Sequence, residues 1–261
     1  MRGGIIRGMT FQFDPARFAV ISDIHGNVDA LLAVLADIDR QGIASILNLG
    51  DHFSGPLAAG ETAAVLAARP MLSIRGNHDR WLIEVPPEKQ SASEAIAYPQ
   101  LGVEALDWLA ALPPVMDLGE VFLCHGTPDG DMEYLLEDVR PNGDVLLRGL
   151  DDIRDRVAGI TASLILCGHS HRARRIDLTG GPVILNPGSV GCPGYAADVP
   201  FAHKIEAGSP NASYAIIEKH GAQWQSEIRS IPYDSTRMAA LARNGPRSGW
   251  ARVLATGWVE G

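Results

Sequence analysis

Phe18-Ala19-Val20-Ile21-Ser22-Asp23-Ile24-His25-Gly26-Asn27 is the stretch on which the fold turns. An apolar, β-branched run ends in a carboxylate, an imidazole two residues later, then Gly and Asn before an amphipathic run. That order predicts a strand entering a turn that leads into a helix. Asp23 and His25 are then presented at the edge of a sheet.

The pattern recurs along the chain. Ser45–Leu49 runs into Gly50-Asp51-His52, and Met71–Ile74 runs into Arg75-Gly76-Asn77-His78-Asp79. Val121–Cys124 runs into His125-Gly126, and Leu164–Cys167 runs into Gly168-His169-Ser170-His171. Five apolar runs therefore each end in metal-type ligands beside a glycine. In an open α/β sheet the carboxyl ends of the strands are where ligands bind, so the five ends are expected to converge on one site.

Between these runs the periodicity changes to that of helices. Val28, Leu31, Leu32, Leu35 and Ile38 follow helical spacing, with Asp29, Asp37 and Asp39 elsewhere on the turn and Gly42 as the stop. A helix over 58–69, ended by Pro70, precedes the third strand, so the first eighty residues read β-α-β-α-β. Val85–Pro99 reads as an exposed excursion, and Val103–Ala111 as a short helix with Leu106 and Leu109 toward the core. Gly119-Glu120 predicts a hairpin between 115–118 and the strand leading to His125, after which the sheet becomes mixed. Helices are expected over Glu133–Val139 and Leu147–Val157. Strands are expected over Ala173–Leu178, Val183–Leu185 and the antiparallel pair Tyr214–Lys219 and Trp224–Ser230. Ser235–Arg243 and Trp250–Trp258 read as terminal helices, with Trp250 and Trp258 as packing anchors. Cys192–Asn211 shows no clear period and reads as a lid, a wall or mere covering.

The chain has 261 residues, enough for one large α/β domain spanning 1–261, with the motifs over about 18–191 and the C-terminal elements over 213–258 in the same unit. A formal net charge of −9 argues against a nucleic-acid footprint and against anionic membranes. Three cysteines without a C-x-x-C pair imply no disulfide framework and fit a reducing compartment; Cys124 and Cys167 read as buried small hydrophobes. The first eight residues lack the apolar segment of a secretory signal, with either Met1 or Met9 as the start, and no run is long enough to span a membrane. A cytoplasmic protein is the expectation.

A lone histidine is usually structural, and an Asp at a strand end is often a helix cap. Five such ends together read differently. Mixed carboxylate, imidazole and amide donors suit Mn, Fe or Zn, and the absence of cysteine among them disfavours a structural thiolate zinc.

On these blocks the chain resembles the calcineurin-like metallophosphoesterases. Asp23-Ile24-His25, Gly50-Asp51, Gly76-Asn77-His78-Asp79, His125-Gly126 and Gly168-His169-Ser170-His171 stand in the family's order. The resemblance implies a four-layer α/β sandwich, in which two packed mixed sheets are flanked by helices. It implies two divalent transition-metal ions, one held by Asp23, His25, Asp51 and His171, the other by Asp51, Asn77, His125 and His169, with Asp51 bridging. It further implies attack of a metal-bridging hydroxide on phosphorus, with His78 contacting the phosphate and assisting the leaving oxygen. Asp79 then orients a neighbour or caps the following helix.

Where protein Ser/Thr phosphatases and symmetrical dinucleoside tetraphosphatases carry a second Asp and an Arg after the Gly-Asp block, this chain reads Asp51-His52-Phe53-Ser54-Gly55-Pro56. The carboxylate that would pair with the catalytic histidine is therefore expected to be missing, which disfavours a phosphoprotein substrate. Asn186-Pro187-Gly188-Ser189-Val190-Gly191 resembles a block of the small bacterial phosphodiesterase-like branch, as a turn or a source of backbone donors. Asn77, His78, His52 and Arg172 are the expected substrate contacts, with Arg174 and Arg75 as further candidates. His203 and His220 lie off the motifs and read as surface residues. The expected activity is hydrolysis of a small phosphodiester or phosphomonoester. A nucleotide or dinucleotide polyphosphate hydrolase is the alternative, and an inactive metal-binding scaffold for protein partners the reading of another class.

Overall fold

In the computed structural model, which describes residues 13–260, the period-2 alternation of β1 (Arg17–Ile21) sets the layering. Phe18 and Val20 face one way and Ala19 and Ile21 the other, all fully buried. A strand covered on both faces reads as a continuous apolar run, as this one does. The choice between Met1 and Met9 and the reading of the first eight residues lie outside the described residues.

The chain continues through α1 (Val28–Arg40), β2 (Ile46–Asn48), α2 (Ala59–Ala68), β3 (Leu72–Ser73) and α3 (Asn77–Glu84). Next come α4 (Ala92–Ala97), α5 (Val103–Ala111), β4 (Val115–Asp117), β5 (Val121–Cys124), β6 (Glu137–Val139) and β7 (Val145–Leu147). Then follow α6 (Leu150–Arg156), β8 (Leu164–Leu166), β9 (Arg174–Asp177), β10 (Val183–Asn186), β11 (Gly194–Ala197) and β12 (His203–Glu206). The last elements are β13 (Ala212–His220), β14 (Gln223–Ile231), α7 (Thr236–Arg243) and α8 (Trp250–Thr256).

Two five-stranded mixed sheets result, ordered β14-β13-β1-β2-β3 and β4-β5-β8-β10-β9. Phe18, Val20, Leu47 and Leu49 of the first pack against Leu123, Leu164, Leu166 and Leu185 of the second. The outer face of the first sheet is covered by Leu31, Val34, Leu35 and Ile38 of α1, and that of the second by Ile153 of α6. This is the expected four-layer sandwich. In both sheets the central strands run parallel, so their carboxyl ends open on the same edge.

Several elements differ from the sequence expectation. Glu133–Val139 is not a helix: 133–136 is irregular and Glu137–Val139 pairs antiparallel with Val145–Leu147. The turn chemistry of Pro141-Asn142-Gly143 explains this, with Gly143 at φ 87° and Asn142 Oδ1 accepting from the Asp144 amide at 3.2 Å. The helix expected over 147–157 is correspondingly shortened. The excursion at 85–99 contains α4, whose N-cap Ser91 accepts from the Ser93 amide, and 192–211 forms the β11–β12 hairpin. Leu32 is half exposed, and Trp258, expected as a packing anchor, is 49% exposed.

Asp37, off the apolar stripe of α1, is nevertheless buried. It accepts from Tyr214 Oη (2.6 Å), Arg229 Nε (2.7 Å) and Arg40 Nη2 (2.9 Å). Burial pushes its carboxyl up, but these donors outweigh it and bring the pKa from 3.8 to about 2. A depression of that size corresponds to roughly 2–3 kcal/mol of stability, complete above about pH 4 and lost as the pH falls toward about 2. Asp37→Asn should therefore lower the unfolding free energy by about this amount near neutrality, and the gap from wild type should close in acid. Urea titrations between pH 7 and pH 2 measure both; a gap independent of pH contradicts this account of Asp37.

Candidate metal centre

Five non-glycine residues have positive φ among the described residues: Asp23 (56°), His25 (51°), Asp51 (57°), His169 (65°) and His171 (54°). All five are residues singled out by the strand-end motifs. The left-handed region disfavours a Cβ by roughly 1–2 kcal/mol per residue, so together they cost an amount comparable to a domain's net stability. Such strain persists only where the surroundings over-determine it, and it clusters at functional sites.

The surroundings here are backbone bonds between the strand-end loops. Asp23 N donates to Gly50 O and His25 N to Asp51 O, both at 3.0 Å, and Gly168 N donates to His125 O at 2.7 Å. The Asn186–Gly191 block closes the ring: Val190 N donates to Ser22 O, Gly191 N to Asp23 O, and Ser189 Oγ to Asp23 O at 2.7 Å. The backbone donors of Val190 and Gly191 are thus spent on holding the Asp23 loop. A Cβ at Gly191 would overlap the Ile24 carbonyl, and one at Gly76 the Asp51 carboxylate, so both positions need glycine for close approach.

Hydrogen bonds to carbonyls decide which imidazole nitrogens face inward. His25 Nδ1 donates to Ser54 O (2.8 Å), His125 Nδ1 to Leu49 O (2.7 Å) and His171 Nδ1 to Cys192 O (2.6 Å). A carbonyl can only accept, so Nδ1 carries the proton and Nε2 is left to the site. His169 is reversed: its Nε2 donates to Met132 O at 3.1 Å, which leaves Nδ1.

The inward atoms fall into two groups with ligand atoms within 4.8 Å of one another: Asp23, His25 and His171, and Asp51, His125 and His169. His25 Nε2 and His171 Nε2 are 3.1 Å apart, and His171 Nε2 is 3.3 Å from Asp23 Oδ1. Asp51 Oδ2 is 3.3 Å from His125 Nε2 and 3.8 Å from His25 Nε2, so one oxygen stands between the groups. Asn77 Oδ1 lies 3.0 Å from His125 Nε2 and joins the second group. Asp23 Oδ1 is buried with no hydrogen-bond partner.

The electrostatics ask for added positive charge. Burial drives His171 and His125 toward neutrality, yet Asp23 raises His171 well above the usual range, and Asp51 with Asp23 lifts His125 to about 10. Burial and the neighbouring His171 push His25 down to about 4. Two buried carboxylates and converging imidazole nitrogens thus suit divalent cations, which replace the protons the carboxylates would otherwise attract.

His78, beside this cluster, has a carboxylate partner after all. Glu94 of α4 stands with Oε1 2.5 Å from His78 Nδ1 and is itself bonded by Ser91 Oγ. This corrects the expectation that such a carboxylate is missing. Burial lowers the pKa of His78, but Asp51 and Glu94 outweigh it and the result is raised. The Ser91-x-x-Glu94 pattern was readable as the start of a helix, but not as a partner for residue 78.

His52 was expected at the substrate cleft and is not there. It is fully buried, with Nδ1 2.8 Å from Asp79 Oδ2 and its ring edge-on to Trp108 at 4.8 Å. Asp79 also accepts from the amides of Asp51 (2.8 Å), His52 (2.9 Å) and Gly76 (3.0 Å), so it orients the ligand loops. Arg172 likewise turns away, its Nη1 donating to Val145 O, while Arg174 pairs with Glu137 and Arg75 lies 3.9 Å from Glu84. His203 is not a surface residue: it is buried, with Nε2 2.9 Å from Tyr134 Oη. His220 is exposed as expected.

A cleft of about 300 Å³ opens over the cluster, with His25, Asp51, Asn77, His78, His169 and His171 at its base. Part of the 192–211 segment lines it as a wall, through Tyr195 to Val199.

Comparison with known proteins agrees with this geometry. The family model described as a calcineurin-like phosphoesterase superfamily domain matches residues 17–207. The crystal structure of a metallophosphoesterase from Sphaerobacter thermophilus is 26% identical, with a TM-score of 0.71 over 94% of this chain and 100% of that one. An uncharacterized protein of Methanocaldococcus jannaschii is 28% identical over 83% of this chain and 87% of its own length.

Proposed function

This chain belongs to the calcineurin-like phosphoesterase superfamily, and from that premise we propose that it hydrolyses a small phosphomonoester or phosphodiester at a two-metal centre. The observation that carries the reading is the coincidence of left-handed strain with the motif residues Asp23, His25, Asp51, His169 and His171. Asp23, His25 and His171 would hold one ion and Asn77, His125 and His169 the other, with Asp51 placed to serve both. Their donor set suits Mn, Fe or Zn.

When bound, such cations polarise phosphoryl oxygens and lower the pKa of water toward neutrality. The protein's own groups do the rest. His78, with its Nδ1 proton held by Glu94, keeps Nε2 for the leaving oxygen, and the Glu94 carboxylate beside the ring favours the imidazolium that can donate there. Trp81 packs edge-on against His78 at 4.7 Å and limits its rotation. A small phosphorylated molecule is the partner this reading calls for. The net charge of −9 disfavours a long nucleic acid. No helix among the described residues is long and apolar enough to cross a membrane. The three cysteines are free and buried, and on that usage we read a reducing, cytoplasmic setting.

The test is hydrolysis of matched aryl phosphate monoesters and diesters by chelator-stripped protein, before and after addition of Mn²⁺, Fe²⁺, Zn²⁺ or Mg²⁺, with bound metal quantified. Metal-restored turnover with about two ions per chain is expected. Two bound ions without turnover on any ester would favour the scaffold reading, and no metal binding would overturn both.

A further inference from the structure

Four histidines at the base of the cleft each carry one aromatic ring. Trp81 lies 4.7 Å from His78, Trp250 5.8 Å from His25, Tyr134 5.0 Å from His169 and Tyr195 4.7 Å from His171. All four aromatic residues line the cleft. The tyrosine hydroxyls are spent inside the wall: Tyr134 Oη is 2.7 Å from Tyr195 Oη and 2.9 Å from His203 Nε2, and Tyr195 Oη donates to His169 O at 3.0 Å. What the tyrosines offer the cleft is therefore ring surface, not hydroxyl chemistry. Met132, Ala196, Ala197 and Val199 extend the same apolar wall.

Charge above the metal ligands and His78 is sparse. Among the described residues lining the cleft, Asp198 and Arg247 are the charged groups beyond the metal cluster and His78, one of each sign. A second or third phosphate would find no surplus of cations there. The volume, about 300 Å³, lies at the small end for ligand cavities.

We propose that this cleft selects a substrate with one phosphoryl centre joined to a flat, largely apolar group of nucleobase size, a mononucleotide-type ester rather than a polyphosphate. The inference rests on the phosphoesterase reading and adds its substrate class. The flat group lies against the aromatic rings while the phosphoryl centre meets the metal ligands and His78. Base–aromatic stacking tolerates different bases, because every base has a π-face, so the selection is for the presence of a base more than for its identity.

The experiment uses the metal-loaded protein and two matched pairs: a nucleoside 5′-monophosphate against ribose 5-phosphate, and a nucleoside 5′-(p-nitrophenyl phosphate) against methyl p-nitrophenyl phosphate. The second pair shares its leaving group and differs only in the base-bearing moiety. The base-bearing member should have a kcat/KM roughly tenfold higher or more in the pair that is turned over. Calorimetric binding of the nucleoside monophosphate should exceed that of ribose 5-phosphate by a similar factor, which reads the cleft independently of turnover. Trp81→Leu, and separately Tyr195→Leu, should reduce that ratio several-fold. Equal kcat/KM and equal binding across the pairs would overturn the proposal while leaving the phosphoesterase reading intact. Base-dependent binding without hydrolysis would support the cleft assignment and sink the hydrolytic one. A nucleoside triphosphate or dinucleoside polyphosphate hydrolysed better than the monophosphate ester would overturn the restriction to one phosphoryl centre.

Discussion

Asp51→Asn is expected to lower turnover by roughly a thousandfold or more and to reduce bound metal from about two ions per chain to fewer than one. The reason is the position of a single oxygen. Asp51 Oδ2 stands between the groups of His25 and His125, while Oδ1 accepts from the His78 amide at 2.9 Å. Asparagine preserves the shape and one acceptor but removes the negative charge and offers a single oxygen. Two cations held close together repel, and a shared carboxylate is what offsets that repulsion. Loss of the bridge should therefore affect both sites at once, whereas loss of His169 or His171 should affect mainly one. Metal analysis beside circular dichroism separates an empty folded protein from an unfolded one. Near-normal stoichiometry and turnover in this variant would exclude Asp51 as the bridge.

His78→Ala should behave in the opposite way, binding metal normally and hydrolysing esters about 10²–10⁴-fold more slowly. His78 lies outside both ligand groups, so its removal leaves the cations' donors in place. The deficit should be largest for esters with basic leaving groups, which need the donated proton, and small for p-nitrophenol, which departs without help. Glu94→Gln should show the same leaving-group dependence with a smaller deficit. Its amide keeps the size of the carboxylate but loses the charge that favours a protonated ring. A purely structural role for either residue would instead lower the rate equally for all leaving groups. A flat series for His78→Ala would remove it from the mechanism.

The pairing of His78 with Glu94 also bears on substrate type. Absence of an Asp after the Gly50-Asp51 block reads as absence of the dyad, yet the carboxylate comes from α4, 16 residues after the histidine. The dyad therefore cannot separate branches of the family here.

Much of this molecule could be read in one dimension. Ala19 and Ile21 alternate with Phe18 and Val20 in a run apolar throughout, which is the mark of a strand covered on both faces. The strand-helix-strand order then requires parallel pairing, and parallel pairing brings the strand ends to one edge. Asp23, His25, Asp51, Asn77, His125, His169 and His171 each directly follow such a strand or its turn, so their places at strand ends followed from local periods and one topological rule. The meeting of the first four with the last three followed instead from the packing of two sheets.

The remaining features depend on distances between segments that carry no local signal. His52 adjoins Asp51, but the turn that directs one side chain into the site directs the next into the protein, against Asp79 and Trp108. Glu94, Tyr134, Tyr195 and Trp250 lie on separate elements, and nothing in their neighbourhoods in sequence names a histidine as their contact. The sequence by itself determined the parallel strand-helix-strand core and its strand ends, because strand period and parallel pairing are properties of short segments. The two-sheet sandwich was implied by the resemblance of the motif blocks to the family. Only the tertiary structure decided the Glu94 dyad and the four-ring wall, because those contacts depend on how loops and terminal helices settle over a finished sheet edge.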